Sequence, residues 1–96
     1  MKKETGYSLP ERVFIHEVVL RDGIQNEPTL VPTDRKIELV NGLIRSGIGR
    51  IELSSFVNPR LVPQMADAEA LWDRVERPTG VLFSALILGE KSLERA

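Results

Sequence analysis

Val13-Phe14-Ile15-His16-Glu17-Val18-Val19-Leu20 runs straight into Arg21-Asp22-Gly23-Ile24-Gln25-Asn26-Glu27, and the fold turns on how that junction is read. The apolar run predicts a strand from Arg12 to Leu20. Val, Ile and Phe dominate it, and it lacks the strict apolar/polar alternation of a half-exposed strand. That pattern belongs to a strand buried on both faces, hence to a parallel sheet. The stretch that follows brings a cation, a carboxylate and two side-chain amides around one glycine. Packing alone does not call for such a density of polar groups. Parallel α/β folds keep their chemistry in loops at the carboxyl ends of strands.

Outward from the junction, residues 1 to about 11 are polar and predict a loose lead-in. Leu20 to Pro32 is a loop punctuated by Gly23, Pro28 and Pro32. Thr33 is positioned as an N-cap, with Asp34 in the first helical turn. Ile37, Val40, Leu43, Ile44 and Ile48 fall on one helical face; Leu39 falls off it, and Gly47 supplies the stop. Arg50 to Ser54 predicts a second strand, with Ile51 and Leu53 on one face and Glu52 and Ser54 on the other. After a loop from Ser55 to Pro63, a helix is predicted over Gln64 to Val75, with Met65, Ala68, Leu71, Trp72 and Val75 inward. Pro78-Thr79-Gly80 is a turn, Val81 to Leu88 a third buried strand, and Gly89 to Ala96 the start of a third helix. Strand starts near 12, 50 and 81 give the spacing of βαβ units with right-handed crossovers.

Composition removes several function classes. Within 96 residues the hydrophobic content of 42% supports a globular domain. A net charge of −1, with acids and bases mixed, gives no electrostatic case for nucleic acid or a membrane surface. No apolar run approaches a membrane span. The chain has no cysteine, so disulfides, zinc–thiolate sites and cysteine nucleophiles are out, and a cytoplasmic home is expected. One histidine, His16, cannot build a Ser-His-Asp set; mid-strand, it is expected to be packed or partly buried. Gly47-Ile48-Gly49 precedes a strand instead of following one, so it is not a dinucleotide fingerprint.

The chemistry of the loop has two readings. In one, Arg21 and Asp22 pair on the surface, Gly23 turns the chain and Asn26 caps. In the other, Asp22 is a hard oxygen ligand for Mg²⁺ or Mn²⁺, and Arg21 is a fixed fork able to stabilise an oxyanion or enolate. Gln25 and Asn26 then hydrogen-bond a small polar substrate. Glu52, a carboxylate in an apolar strand, needs a partner. A Glu52–Arg21 pair would both satisfy it and orient the arginine.

A second stretch joins the first: Ile51-Glu52-Leu53-Ser54-Ser55-Phe56-Val57-Asn58-Pro59-Arg60-Leu61-Val62-Pro63-Gln64-Met65-Ala66-Asp67. It resembles the second-strand and following-loop signature of the hydroxymethylglutaryl-CoA lyases, as Arg21 to Glu27 resembles their first-strand motif. The R-D-G-x-Q element is shared with isopropylmalate-type synthases and biotin-dependent carboxyltransferases. The Q-N-E ending and the S-F-V-x-P-x-x-V-P-Q-M run narrow it to the lyases.

The resemblance implies an α/β fold of parallel βα units, about the first three of a (β/α)8 TIM barrel. The chain, 1–96, would then be a single partial domain. It implies Arg21 and Glu52 as catalytic residues, Gln25 and Ser55 as substrate-binding residues, and Asp22 as a metal ligand for Mg²⁺ or Mn²⁺. The implied reaction is a retro-Claisen cleavage of 3-hydroxy-3-methylglutaryl-CoA to acetoacetate and acetyl-CoA, as in leucine degradation and ketone body formation, by a homo-oligomer of full-length chains. Leu86-Ile87-Leu88-Gly89 departs from the family, which carries a Pro-Asn pair after this strand. The family's His-x-His metal pair, a later Asn ligand, the acid/base residues and a glycine-rich cysteine loop are expected beyond Ala96. Alone, the chain is expected to be marginally stable, prone to pair through its sheet edges, and devoid of appreciable lyase activity. The alternatives are a truncated non-catalytic fragment, or a relative acting on another acyl-CoA.

Overall fold

A computed structural model describes residues 9–96. The predicted lead-in lies largely outside the described residues; Leu9, Pro10 and Glu11 at its end are exposed. In chain order the elements are β1 (His16–Glu17), a π-helical turn (Val19–Gly23), α1 (Thr33–Arg45) and β2 (Arg50–Ser55). A 3-10 turn (Pro63–Met65), α2 (Ala68–Arg74), β3 (Leu82–Leu86) and α3 (Glu90–Arg95) follow. The strands form one parallel sheet in the order β1-β2-β3. The architecture is therefore the predicted one of parallel strands joined by helical crossovers.

Each predicted strand is redrawn by its neighbours. β1 is far shorter than Arg12 to Leu20. His16 pairs with Arg50, the first residue of β2, so the residues before it run past the end of the partner strand. Val13, Phe14 and Ile15 are accordingly exposed, at 73%, 63% and 69%, and the expected burial on both faces fails here. At the other end the Val18 carbonyl accepts hydrogen bonds from the amides of Arg21, Asp22 and Gly23. That gathers Val19–Gly23 into the π-helical turn, which begins two residues after the strand ends at Glu17. β3 is likewise an edge strand among the described residues, with Leu82 exposed and Phe83 to Leu86 half-buried.

β2 carries a bulge. Glu52 pairs with Ser84, but Ser54 pairs with Ala85 and Ser55 with Leu86, so Leu53 is the extra residue. A single inserted residue reverses the alternation beyond it. Ser54 therefore does not share a face with Glu52, as simple alternation predicts. It is buried on the helix side, where its hydroxyl lies 3.5 Å from the Met65 sulfur. Ser55 takes the face of Glu52 instead.

The core lies between the sheet and the two longer helices, and is built of Leu20, Ile24, Val40, Ile51, Leu53, Met65, Leu71 and Val75. Ile37, Leu43, Ile44, Ile48 and Trp72 pack against it half-buried, as the helical stripes predict. Gly47 ends α1 with φ +92°, a value that a side chain would strain.

Two helix starts differ from prediction for one reason. Thr33 is not the N-cap of α1; Pro32 is, and the Thr33 hydroxyl donates to Asp67 Oδ2 at 2.7 Å. The predicted helix from Gln64 is broken into the 3-10 turn and α2. The Gln64 carbonyl accepts from the Lys36 ammonium instead of continuing a helical ladder, and Lys36 also donates to Asp67 Oδ1 at 2.7 Å.

Candidate functional site

The π-helical turn places Arg21 half-buried with its guanidinium over β2. Nε donates to Glu52 Oε1, and Nη1 reaches Asp22 Oδ1 at 3.4 Å. The Arg21 and Glu52 side chains are 22% and 14% exposed, while Asp22 is 69% exposed. A carboxylate as enclosed as Glu52 is costly without a counter-charge. The pair explains how a charged residue sits in an otherwise apolar strand. It also holds the guanidinium at the carboxyl end of the sheet, with Asp22 open to solvent beside it.

Gly23 is favoured by close approach, not by its backbone angle: a Cβ there would stand 2.8 Å from Val19 Cγ2, and the valine would have to shift. Ile24, 7% exposed, anchors the turn into the core, and Gln25 follows half-buried. Ser55 lies on the face of Glu52, fully buried, with its hydroxyl 3.4 Å from the Leu86 carbonyl. Two register positions separate it from Glu52, on the order of 7 Å along the strand. The structure thus brings both Asp22 and Glu52 to Arg21 and places Ser55 on the same face.

That face also carries His16. It is exposed, contrary to the expected packing, and its Nε2 lies 3.0 Å from Ser84 Oγ across the sheet. Phe14 sits on the same open side under the Arg50 guanidinium, 4.2 Å from the ring centre.

Sequence reasoning missed the residues that brace the loop. Lys36 is 1% exposed and Gln64 4%. The Gln64 side chain accepts from the Val31 amide at 2.9 Å and donates to the carbonyls of Glu27 and Thr29 at 3.0 and 2.7 Å. The segment between Asp22 and α1 is therefore tied down at its middle. One signal for Lys36 was available: it precedes Val40 by four residues, so it falls on the buried stripe of α1, where a cation needs a partner.

Among the described residues no group of three or more His, Asp or Glu side chains converges on one point. Asp22, with a guanidinium beside it, offers one oxygen ligand and does not by itself fit a divalent cation. No helix among the described residues is long and apolar enough to cross a membrane.

Parallel βα units with a charged turn at the carboxyl end of the first strand place the chain in the class of α/β domains that build sites at strand ends. The curated and structural relatives of this chain are hydroxymethylglutaryl-CoA lyases, each of which it matches over most of its own length and only a part of theirs. It is 41% identical over 87 residues to a hydroxymethylglutaryl-CoA lyase of Bacillus subtilis, covering 91% of this chain and 29% of the relative. It superposes on the crystal structure of hydroxymethylglutaryl-CoA lyase from Pseudomonas aeruginosa with a TM-score of 0.85 and 39% identity, over 91% of this chain and 29% of that one. An HMG-CoA lyase from Acinetobacter baumannii, in complex with coenzyme A and 3-methylmalate, gives a TM-score of 0.82 and 41% identity, over 85% and 27%. The curated relatives include cytoplasmic and mitochondrial forms. The chain spans between 19% and 30% of their length. No protein-family model matches it.

Proposed function

We propose that this chain supplies one side of a hydroxymethylglutaryl-CoA lyase active site, within a (β/α)8 barrel completed by residues outside these 96. The reaction is the retro-Claisen cleavage of 3-hydroxy-3-methylglutaryl-CoA to acetoacetate and acetyl-CoA. The observation that carries it is the Arg21 guanidinium held by Glu52 at the carboxyl end of the parallel strands. Arg21 takes up the negative charge that develops on the thioester oxygen as the carbon–carbon bond breaks. Glu52 fixes its direction. Gln25 and Ser55 contact the substrate, and Asp22 contributes one ligand to a site for Mg²⁺ or Mn²⁺. Such an ion, when bound, polarises oxygens and acidifies a hydroxyl. The lyase crystallised with coenzyme A supports an acyl-CoA substrate.

A segment exchange tests this. Residues 9–96 replace the matching segment of the Bacillus subtilis relative, and the purified chimera is assayed on 3-hydroxy-3-methylglutaryl-CoA with Mg²⁺. Cleavage by the chimera is expected, with none by the 96-residue chain alone. A folded chimera without activity sinks the reading, as does a chimera whose rate is indifferent to Arg21→Gln. The exposed Ile87-Leu88 after β3, where the resemblance leads one to expect Pro-Asn, favours a second reading in which another acyl-CoA is the better substrate. A substrate panel on the same chimera separates the two.

A further inference from the structure

Arg95 is the most heavily engaged side chain outside the Arg21 site. Its Nε and Nη2 grip Glu69 of α2 through both carboxylate oxygens, at 2.5 and 2.7 Å. Nη1 donates to the Val57 carbonyl at 2.7 Å, and Nη2 also reaches the carbonyls of Ala66 at 3.2 Å and Met65 at 3.5 Å. The guanidinium carbon stands 5.6 Å from the centre of the Phe56 ring. One residue of α3 thus holds both ends of the loop that leaves β2 after Ser55, and the first turn of α2 as well. A planar fork with five donors can do this; an ammonium cannot.

The loop so held forms one wall of a groove of about 640 Å³. Phe56, Val57, Pro59 and Leu61 line that wall, and Leu88 and Lys91 line the other. We propose that Arg95 is a positioning residue that locks the β2–α2 loop against α3 and so preforms the wall of this groove. That the wall faces substrate rests on the proposed function; that Arg95 fixes the loop does not.

The Glu69 carboxyl supplies an independent handle. The Arg95 hydrogen bonds hold it below the usual carboxylate range, against the opposing effect of partial burial. A lowered folded value means the clamp is complete above the ordinary carboxylate pKa and is released as pH falls through the lowered one. The other charged groups lining the grooves around the pair are Asp73 and Arg77 on one side, and Glu90 and Lys91 on the other.

Amide hydrogen exchange on the full chain tests the proposal without reference to activity. Protection of the Arg60, Leu61 and Val62 amides, which bond to Asn58, is compared with that of Val40 and Ile51 in the core, in wild type, Arg95→Ala, Arg95→Lys and Glu69→Gln, in a series from neutral pH down through the acidic range. In Arg95→Ala the loop amides are expected to exchange at least about tenfold faster while the core amides keep their protection. Arg95→Lys should restore only part of the loss. Wild-type loop protection should fall selectively at low pH, and Glu69→Gln should remove that dependence. Unchanged loop exchange in Arg95→Ala overturns the proposal. So does loss of loop and core protection together in every variant, which would make Arg95 a general stability element. If only Arg95→Ala unfolds globally, Arg95→Lys and Glu69→Gln decide between the two outcomes.

Discussion

The two sides of the sheet are held in opposite ways. On the helix side, charges are buried and saturated: Lys36 is enclosed by Asp67, the Gln64 carbonyl and the helix it belongs to. On the other side charges stand in the open. Asp22 faces solvent, His16 bonds Ser84 on an exposed face, and Phe14 and Leu82 are more than half exposed. Arg21 and Glu52 form the boundary, each charged and mostly enclosed. Polar groups on the helix side hold the fold, while those on the open side are free to meet something else. Substitutions on the two sides should therefore separate stability from chemistry.

The largest effect on stability is expected at Lys36. Lys36→Met keeps the apolar volume of the stem but removes the ammonium, leaving Asp67 Oδ1 and the Gln64 carbonyl without their donor and Asp67 held by the Thr33 hydroxyl alone. Breaking one half of a buried pair costs about 3 kcal/mol or more. In a single-sheet domain with a small core, that is a large share of the whole. A urea titration followed by Trp72 fluorescence would measure it. A loss below about 0.5 kcal/mol would mean that the charges on the helix side are as dispensable as surface ones.

Arg21→Ala comes next and straddles the boundary. It strands Glu52, so a loss of about 1–3 kcal/mol in the same titration is expected. In the segment-exchange chimera it should also lower turnover by roughly 100-fold or more, since a fixed donor to a developing oxyanion is removed. Arg21→Lys should recover stability better than turnover, because an ammonium satisfies Glu52 without reproducing the fork. Equal recovery of both would make Arg21 a structural partner only.

The same division explains what could be read in the sequence. The stripes Ile37-Val40-Leu43-Ile44 and Ala68-Leu71-Trp72 gave their helices because burial against a sheet imposes the helical period on the chain itself. The strands were over-read because their extent depends on neighbours. Val13 to Ile15 are as apolar as any strand, yet they lie past the first residue of β2 and pair with none of the described residues. The bulge at Leu53 leaves no mark in the composition of β2, so the exchange of Ser54 for Ser55 on the site face was hidden. The Arg21–Glu52 partnership was legible because a lone carboxylate in an apolar strand demands a cation. Arg95 was not, since its partners lie 26 to 38 residues away and no local pattern marks them.

Asp22 is where the comparison becomes sharpest, because the expected effect on the fold is smallest. Its carboxylate is mostly in solvent and touches Arg21 only at 3.4 Å, a contact worth little to stability. Asp22→Asn preserves size and polarity, so its urea midpoint should stay within about 0.5 kcal/mol of the parent. If Asp22 serves only as a surface partner of Arg21, turnover by the chimera should be equally indifferent. If it is an oxygen ligand, the substitution should raise the Mg²⁺ concentration needed for half-maximal activity, because a neutral amide is a weaker ligand for a hard cation. A metal titration of the two chimeras reads this directly. An unchanged metal requirement would return the Arg21–Asp22 turn to the surface reading, held in place by Glu52, Ile24 and the Val18 carbonyl.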